Sequence, residues 1–131
     1  MVPEQNPLTG VKVMVIDDSN TIRRSAEIFL LQAGCTVILA EDGFDALAKI
    51  TDHQPNLVFV DIMMPRLDGY GAARRIRRAP WGAGMLLVAQ TGWGQESDRR
   101  LSEEAGFDFH LTKPVDLTAL RRILTDLRGS A

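Results

Sequence analysis

The sequence predicts an α/β fold: a single (βα)5 unit whose five parallel strands form one doubly wound sheet. Short apolar runs alternate with longer amphipathic segments from residue 11 onward, with no low-complexity break or shift in composition. The first, third and fourth runs are nearly continuous in Val, Ile, Leu and Phe, as strands are when helices cover both faces of their sheet. A length of 131 residues is one domain's worth.

The elements follow in order. Met1 to Gly10 contains two prolines and no periodic pattern, so a flexible leader is expected over 1–10, with the domain over 11–131. Strands are expected at Val11 to Ile16, Thr36 to Ala40, Leu57 to Val60, Met85 to Ala89 and Phe107 to Leu111. Ile22, Ala26, Phe29, Leu30 and Ala33 share one face of a first helix that Ser19 or Asn20 caps and Gly34 ends. Gly43, Gly69 and Gly106 mark later junctions. The segment Gln95 to Ala105 offers only Leu101 and Ala105 as apolar anchors and should be the most loosely held helix. Leu117, Leu120, Ile123, Leu124 and Leu127 repeat the helical spacing near the end.

Composition narrows the function. Fifteen basic against seventeen acidic side chains give a formal charge of −2, too near neutral for a general binder of nucleic acid. The longest apolar run, Met85 to Ala89, is far short of the roughly 20 residues that cross a bilayer, and a cytoplasmic protein is expected. The single cysteine, Cys35, has no disulfide partner and reads as a buried, idle thiol. Arg74, Arg75, Arg77 and Arg78 read as a solvated helix face, and His53 as plain surface.

Chemistry gathers where the strands end. Asp17 and Asp18 follow the first strand, Asp61 the third, Thr91 the fourth and Lys113 the fifth. A parallel sheet brings these ends to one rim, the edge at which open α/β sheets bind ligands. Three carboxylates crowded there repel one another, and their hard oxygens favour a divalent ion such as Mg²⁺. Mg²⁺ keeps several waters and is commonly completed by a phosphate, which leaves one aspartate to act as a nucleophile toward phosphorus. The Lys113 ammonium can pair with a phosphoryl oxygen and the Thr91 hydroxyl can donate to another.

These elements, Asp17-Asp18, Asp61 in DIMMPRLDG, Thr91-Gly92 and Lys113-Pro114, resemble the signature of response-regulator receiver domains, the CheY-like family. The resemblance covers residues 11 to about 128. It implies a flavodoxin-like sheet of order 2-1-3-4-5 and a signalling domain, not an enzyme. Asp61 would accept a phosphoryl group from the phosphohistidine of a kinase or phosphotransfer protein. Asp17, Asp18, Asp61 and the backbone carbonyl of Met63 would hold Mg²⁺ or Mn²⁺. Thr91 would be the switch hydroxyl, Lys113 would bridge to Asp61 or its phosphate, and the Lys113-Pro114 bond would be cis. Met63 and Trp93 would shield the acyl phosphate from water. Output would pass to a protein docking on the fourth helix, fifth strand and fifth helix. His110 stands at the switch-aromatic position, where the family more often has Tyr or Phe. A switch residue and an ordinary half-exposed edge-strand histidine are both open readings there.

Val11 to about Tyr70 is similar to the stand-alone receivers of the chemosensory system that controls type IV pilus twitching, on DDSNTIRR, EDGFDALAKI and FVDIMMPRLDGY. The stretch PWGAGMLLVAQTGWGQESDRRLSEEAGFDFHLTKPVDL resembles receivers attached to hybrid histidine kinases. A recombined or engineered joint near Tyr70 to Arg78 and plain divergence are the two readings of that contrast. A haloacid-dehalogenase-type phosphatase would need an acidic group two residues after its nucleophile, where this chain has Met63. A receiver-shaped domain that only binds would lack part of the acidic pair, acceptor, hydroxyl and lysine.

Overall fold

Apolar runs with period-two and period-3.6 spacing sort into a five-stranded parallel sheet with helices on its faces. A computed structural model describes residues 9–62, 69–79, 82–91, 100, 103–112, 119 and 122–123, with the backbone alone at 83, 91 and 112. The strands are β1 (Lys12–Ile16), β2 (Thr36–Ala40), β3 (Leu57–Asp61), β4 (Leu86–Thr91) and β5 (Phe109–Thr112). The helices are α1 (Asn20–Gln32), α2 (Gly43–His53) and α3 (Gly69–Arg78), with a 3-10 turn at Gly82–Gly84. Strand order is β2-β1-β3-β4-β5 and all four pairings are parallel, the order the resemblance implied.

Two apolar clusters flank the sheet, and strand alternation assigns side chains between them. Met14, Ile16, Val58, Val60, Leu87 and Ala89 face Ala46 and Ile50 of α2 and Ala73 and Ile76 of α3. Val13, Val15, Leu57, Phe59 and Val88 face Leu30 and Ala33 of α1, with Ile123 on the same side. Cys35 is buried in this second cluster, and burial pushes its thiol pKa up, as an idle cysteine requires. Ser19 caps α1, its hydroxyl accepting from Ile22 N at 3.3 Å, and Gly34 leaves the helix at φ +95°.

The structure corrects several boundaries. β1 begins at Lys12, while the Val11 carbonyl accepts from Thr36 N. β3 extends to Asp61, which pairs in register with Gln90, and β4 therefore runs on through Thr91. Met85 stays outside the ladder because its N–H bonds to Gly82 O in the 3-10 turn. β5 starts at Phe109, two residues later than expected. Before it, the Asp108 N–H donates to Leu87 O at 2.8 Å and its carboxylate accepts the Leu87 N–H at 2.9 Å, a closed pair outside the ladder. Phe107 is in the first cluster instead, edge-on to Tyr70 with ring centroids 6.5 Å apart. Ile22 was expected on the core face of α1 and is exposed, in the first turn of that helix. Of the proposed loosely held helix, 95–99 and 101–102 lie outside the described residues, while Ala105 is buried. Leu117, Leu120, Leu124 and Leu127, and residues 1–8 of the proposed leader, also lie outside them.

Arg77 is the largest departure from the sequence reading. It does not join a solvated face. Its Nε donates to Gly106 O at 2.8 Å, and its Nη1 to Gly82 O at 2.9 Å and Met85 O at 2.7 Å. Nη2 pairs with the Asp108 carboxylate. One guanidinium thus ties α3 to the 3-10 turn, the start of β4 and the approach to β5. Arg74, Arg75 and Arg78 are exposed as expected. Replacing Arg77 by Met removes the charged donor shared by the carbonyls of Gly82, Met85 and Gly106 and the Asp108 carboxylate, so Arg77→Met should lower the unfolding free energy by about 2–4 kcal/mol. Arg74→Gln should change it by less than about 0.5 kcal/mol, and urea unfolding of the two variants measures the contrast.

Candidate functional site

Parallel register decides which residues reach the rim together. Ile16 lies opposite Val60, so Asp17 leaves β1 level with Asp61, the last residue of β3. Asp61 in turn lies opposite Gln90, which places the Thr91 backbone one step further along β4. One carboxylate oxygen from each of Asp17, Asp18 and Asp61 lies within 4.8 Å of the others. Asp17 is fully buried and Asp61 is 4% exposed, while Asp18 faces solvent. Buried like charges this close are costly unless a cation sits among them.

Main-chain atoms hold the turn at Asp17. Asp17 N donates to Ala40 O at 3.1 Å. Its Oδ1 accepts from Ser19 N at 2.9 Å, and its carbonyl oxygen accepts from Arg23 Nη1 at 2.6 Å. The same guanidinium reaches Asn20 Oδ1 through Nη2 at 3.4 Å, so Arg23 braces the β1–α1 turn without occupying the carboxylates. Beyond β3, Gly69 opens α3 directly against the strand end. A Cβ there would stand 2.6 Å from Ile62 Cα and 2.8 Å from Asp61 O, so only glycine lets the helix start so close. On the neighbouring corner, burial pushes the Asp45 pKa up. The Glu41 N–H, Lys49 and the charge of Arg23 outweigh it and hold the carboxyl below its ordinary value.

Three oxygen-bearing carboxylates, two of them buried, fit a hard divalent cation. One oxygen from each leaves the remaining positions of an octahedron for water and a phosphate. Of the residues singled out by sequence, the structure brings together Asp17, Asp18 and Asp61 and sets Thr91 at the same rim. His110 is half-buried on β5, opposite Ala89 and two residues short of Thr112, which pairs with Thr91. β5 is an edge of the sheet, and its Phe109 and Leu111 pack toward the α1 side, so His110 faces the opposite side. Met63, Trp93, Lys113 and Pro114 lie outside the described residues. Sequence reasoning missed Arg23 and the close contact at Gly69, since neither a main-chain brace nor a backbone approach leaves a spacing signature.

Comparison with known proteins agrees with this geometry. A family model described as the response regulator receiver domain matches residues 13–125. Protein PilG of Pseudomonas aeruginosa is 50% identical over 105 residues, covering 80% of this chain and 78% of that protein. The Vibrio cholerae chemotaxis protein CheY4 superposes with a TM-score of 0.84 at 25% identity, covering 91% of this chain and 99% of that one. The receiver domain of the sensor histidine kinase PA1611 from Pseudomonas aeruginosa carries a magnesium ion coordinated in its active site cleft. It superposes with a TM-score of 0.82 at 29% identity, covering 92% of this chain and 99% of that one. The chain spans about half the length of the longer regulators that it also matches.

Mg²⁺ should stabilise the fold by relieving the carboxylate repulsion. At a tenfold excess over its dissociation constant the gain is about 1.4 kcal/mol, read as a shift of the urea midpoint. Asp18→Asn should remove most of that shift and, in EDTA, leave the protein at least as stable as the parent.

Proposed function

The chain belongs to the response regulator receiver domain family, and we propose that it takes a phosphoryl group on Asp61 from the phosphohistidine of a histidine kinase or phosphotransfer protein. It is a signalling protein and not a conventional enzyme. The observation that carries the reading is the meeting of Asp17, Asp18 and a nearly buried Asp61 at the rim of the sheet.

In the proposed reaction an Asp61 carboxylate oxygen forms the new bond to phosphorus while the P–N bond to the donor imidazole breaks. The imidazole keeps the electron pair and takes up a proton. Asp17, Asp18, Asp61 and the Met63 carbonyl are the proposed holders of Mg²⁺ or Mn²⁺, which when bound offsets the charge on the phosphoryl oxygens. Arg23 and Ser19 keep the Asp17 backbone and carboxylate aimed at the pocket, so little reorganisation accompanies the reaction. Lys113, after a proposed cis Lys113-Pro114 bond, supplies the counter-charge on a phosphoryl oxygen. Thr91 is the proposed switch hydroxyl, with His110 as the second switch position, level with Ala89 on the adjacent strand. Met63 and Trp93 are the proposed shield of the acyl phosphate.

The proposed output is protein docking on the fourth helix, fifth strand and fifth helix, in the cytoplasm. PilG and the chemotaxis protein CheY4 favour a role in motility. The likeness to PilG spans 105 of 131 residues, leaves at most 26 outside, and so must cross 71–78. That favours divergence of one receiver over a joint between two.

Intact mass measured after incubation with acetyl phosphate and Mg²⁺ should show a single phosphoryl adduct. The adduct should be missing in EDTA and in Asp61→Asn, and its appearance unchanged in Asp61→Asn would place the acceptor elsewhere.

A further inference from the structure

We propose that the outward face of α3, with Phe44 of α2 at its edge, is a docking surface for an acidic protein segment that carries one apolar anchor. Arg74, Arg75 and Arg78 are all exposed and, at about 100° per residue, occupy one contiguous third of the α3 surface. Arg77 is turned away into its hydrogen-bond network, so the remaining three form a clean stripe. The Arg75 guanidinium carbon stands 5.9 Å from the Phe44 ring centroid, and Phe44 remains 50% exposed. The surface therefore has an aromatic centre with cations around it, the composition that dominates the energetics of protein interfaces.

The fold itself gives these arginines little to do. Among the described residues no carboxylate pairs with Arg74, Arg75 or Arg78. Arg74 and Arg78 stand four apart, a like-charge spacing that destabilises a helix, and Arg75 and Arg78 lie in the last turn, where an exposed cation gains only modestly from the helix C-terminus.

Charge elsewhere selects the occupant. The chain is net −2, and Glu41 and Asp45 lie within three residues of Phe44 along the chain. A nucleic acid, with charge along its whole length, meets those carboxylates as well as the arginines. A short acidic segment can set a few carboxylates on the arginine stripe and one apolar side chain against Phe44. The surface shares no residue with the carboxylate pocket, so the proposal stands or falls independently of phosphoryl transfer.

The probe is a fluorescein-labelled helical peptide with glutamates at four-residue spacing around one leucine, followed by anisotropy on the full chain. Saturable binding is expected, weakening as sodium chloride rises. The double variant Arg74→Glu/Arg75→Glu should lose about tenfold or more, and Phe44→Ser several-fold, with urea midpoints showing that each remains folded. Arg75→Gln gives the same reading should the double variant unfold. Equal affinity for parent and variants overturns the proposal. So does equal affinity for a peptide with the leucine replaced by glutamine, or tighter binding of a single-stranded RNA oligonucleotide.

Discussion

Mutual repulsion of three carboxylates, imposed by the register of a parallel sheet, is the constraint on which the rest of this molecule depends. β1 and β3 are neighbours, and their pairing leaves Asp17 and Asp61 side by side at the same rim. Neither can retreat into solvent, because the strands that carry them are buried on both faces. The surrounding structure accepts that cost and holds the pocket by its peptide groups, through Ala40, Ser19 and Arg23. Each of the three aspartates thereby keeps an oxygen within 4.8 Å of the others, a spacing that suits a divalent cation.

Much of this was legible in the sequence, for physical reasons that can be named. Strands covered on both faces must be apolar throughout, so LVFV at 57–60 announces a central strand without reference to any other protein. Strand ends in such a sheet converge, so Asp17, Asp18 and Asp61 could be placed together although Asp17 and Asp61 stand 44 positions apart. What stayed hidden depends on side chains reaching main-chain atoms far along the chain. Arg77 looks like its neighbours Arg74, Arg75 and Arg78 in a helical wheel, yet it bonds to carbonyls of Gly82, Met85 and Gly106. The start of β5 was misplaced for a related cause, since Asp108 adds a carboxylate bond to Leu87 N beside its own N–H bond to Leu87 O.

Arg77 and Arg23 do comparable work at opposite ends of the sheet. Arg23 secures the turn after β1, beside the acidic pocket, and Arg77 secures the entrances to β4 and β5. Both are partly buried, charge-assisted and directed at carbonyls, so each rigidifies a junction where regular hydrogen bonding runs out. Each end of the sheet is in this sense braced by one cation.

The enclosed Cys35 sulfur gives the molecule a reporter of its own motion. It lies between the sheet and α1 at 5% exposure, with its ionisation suppressed by burial. An alkylating reagent attacks the thiolate, a form that burial disfavours, so labelling quickens whenever the layer over Cys35 opens. The pace of labelling therefore gauges how often this layer opens, and comparing it with and without a ligand at the acidic rim would show whether events there reach the far side of the fold.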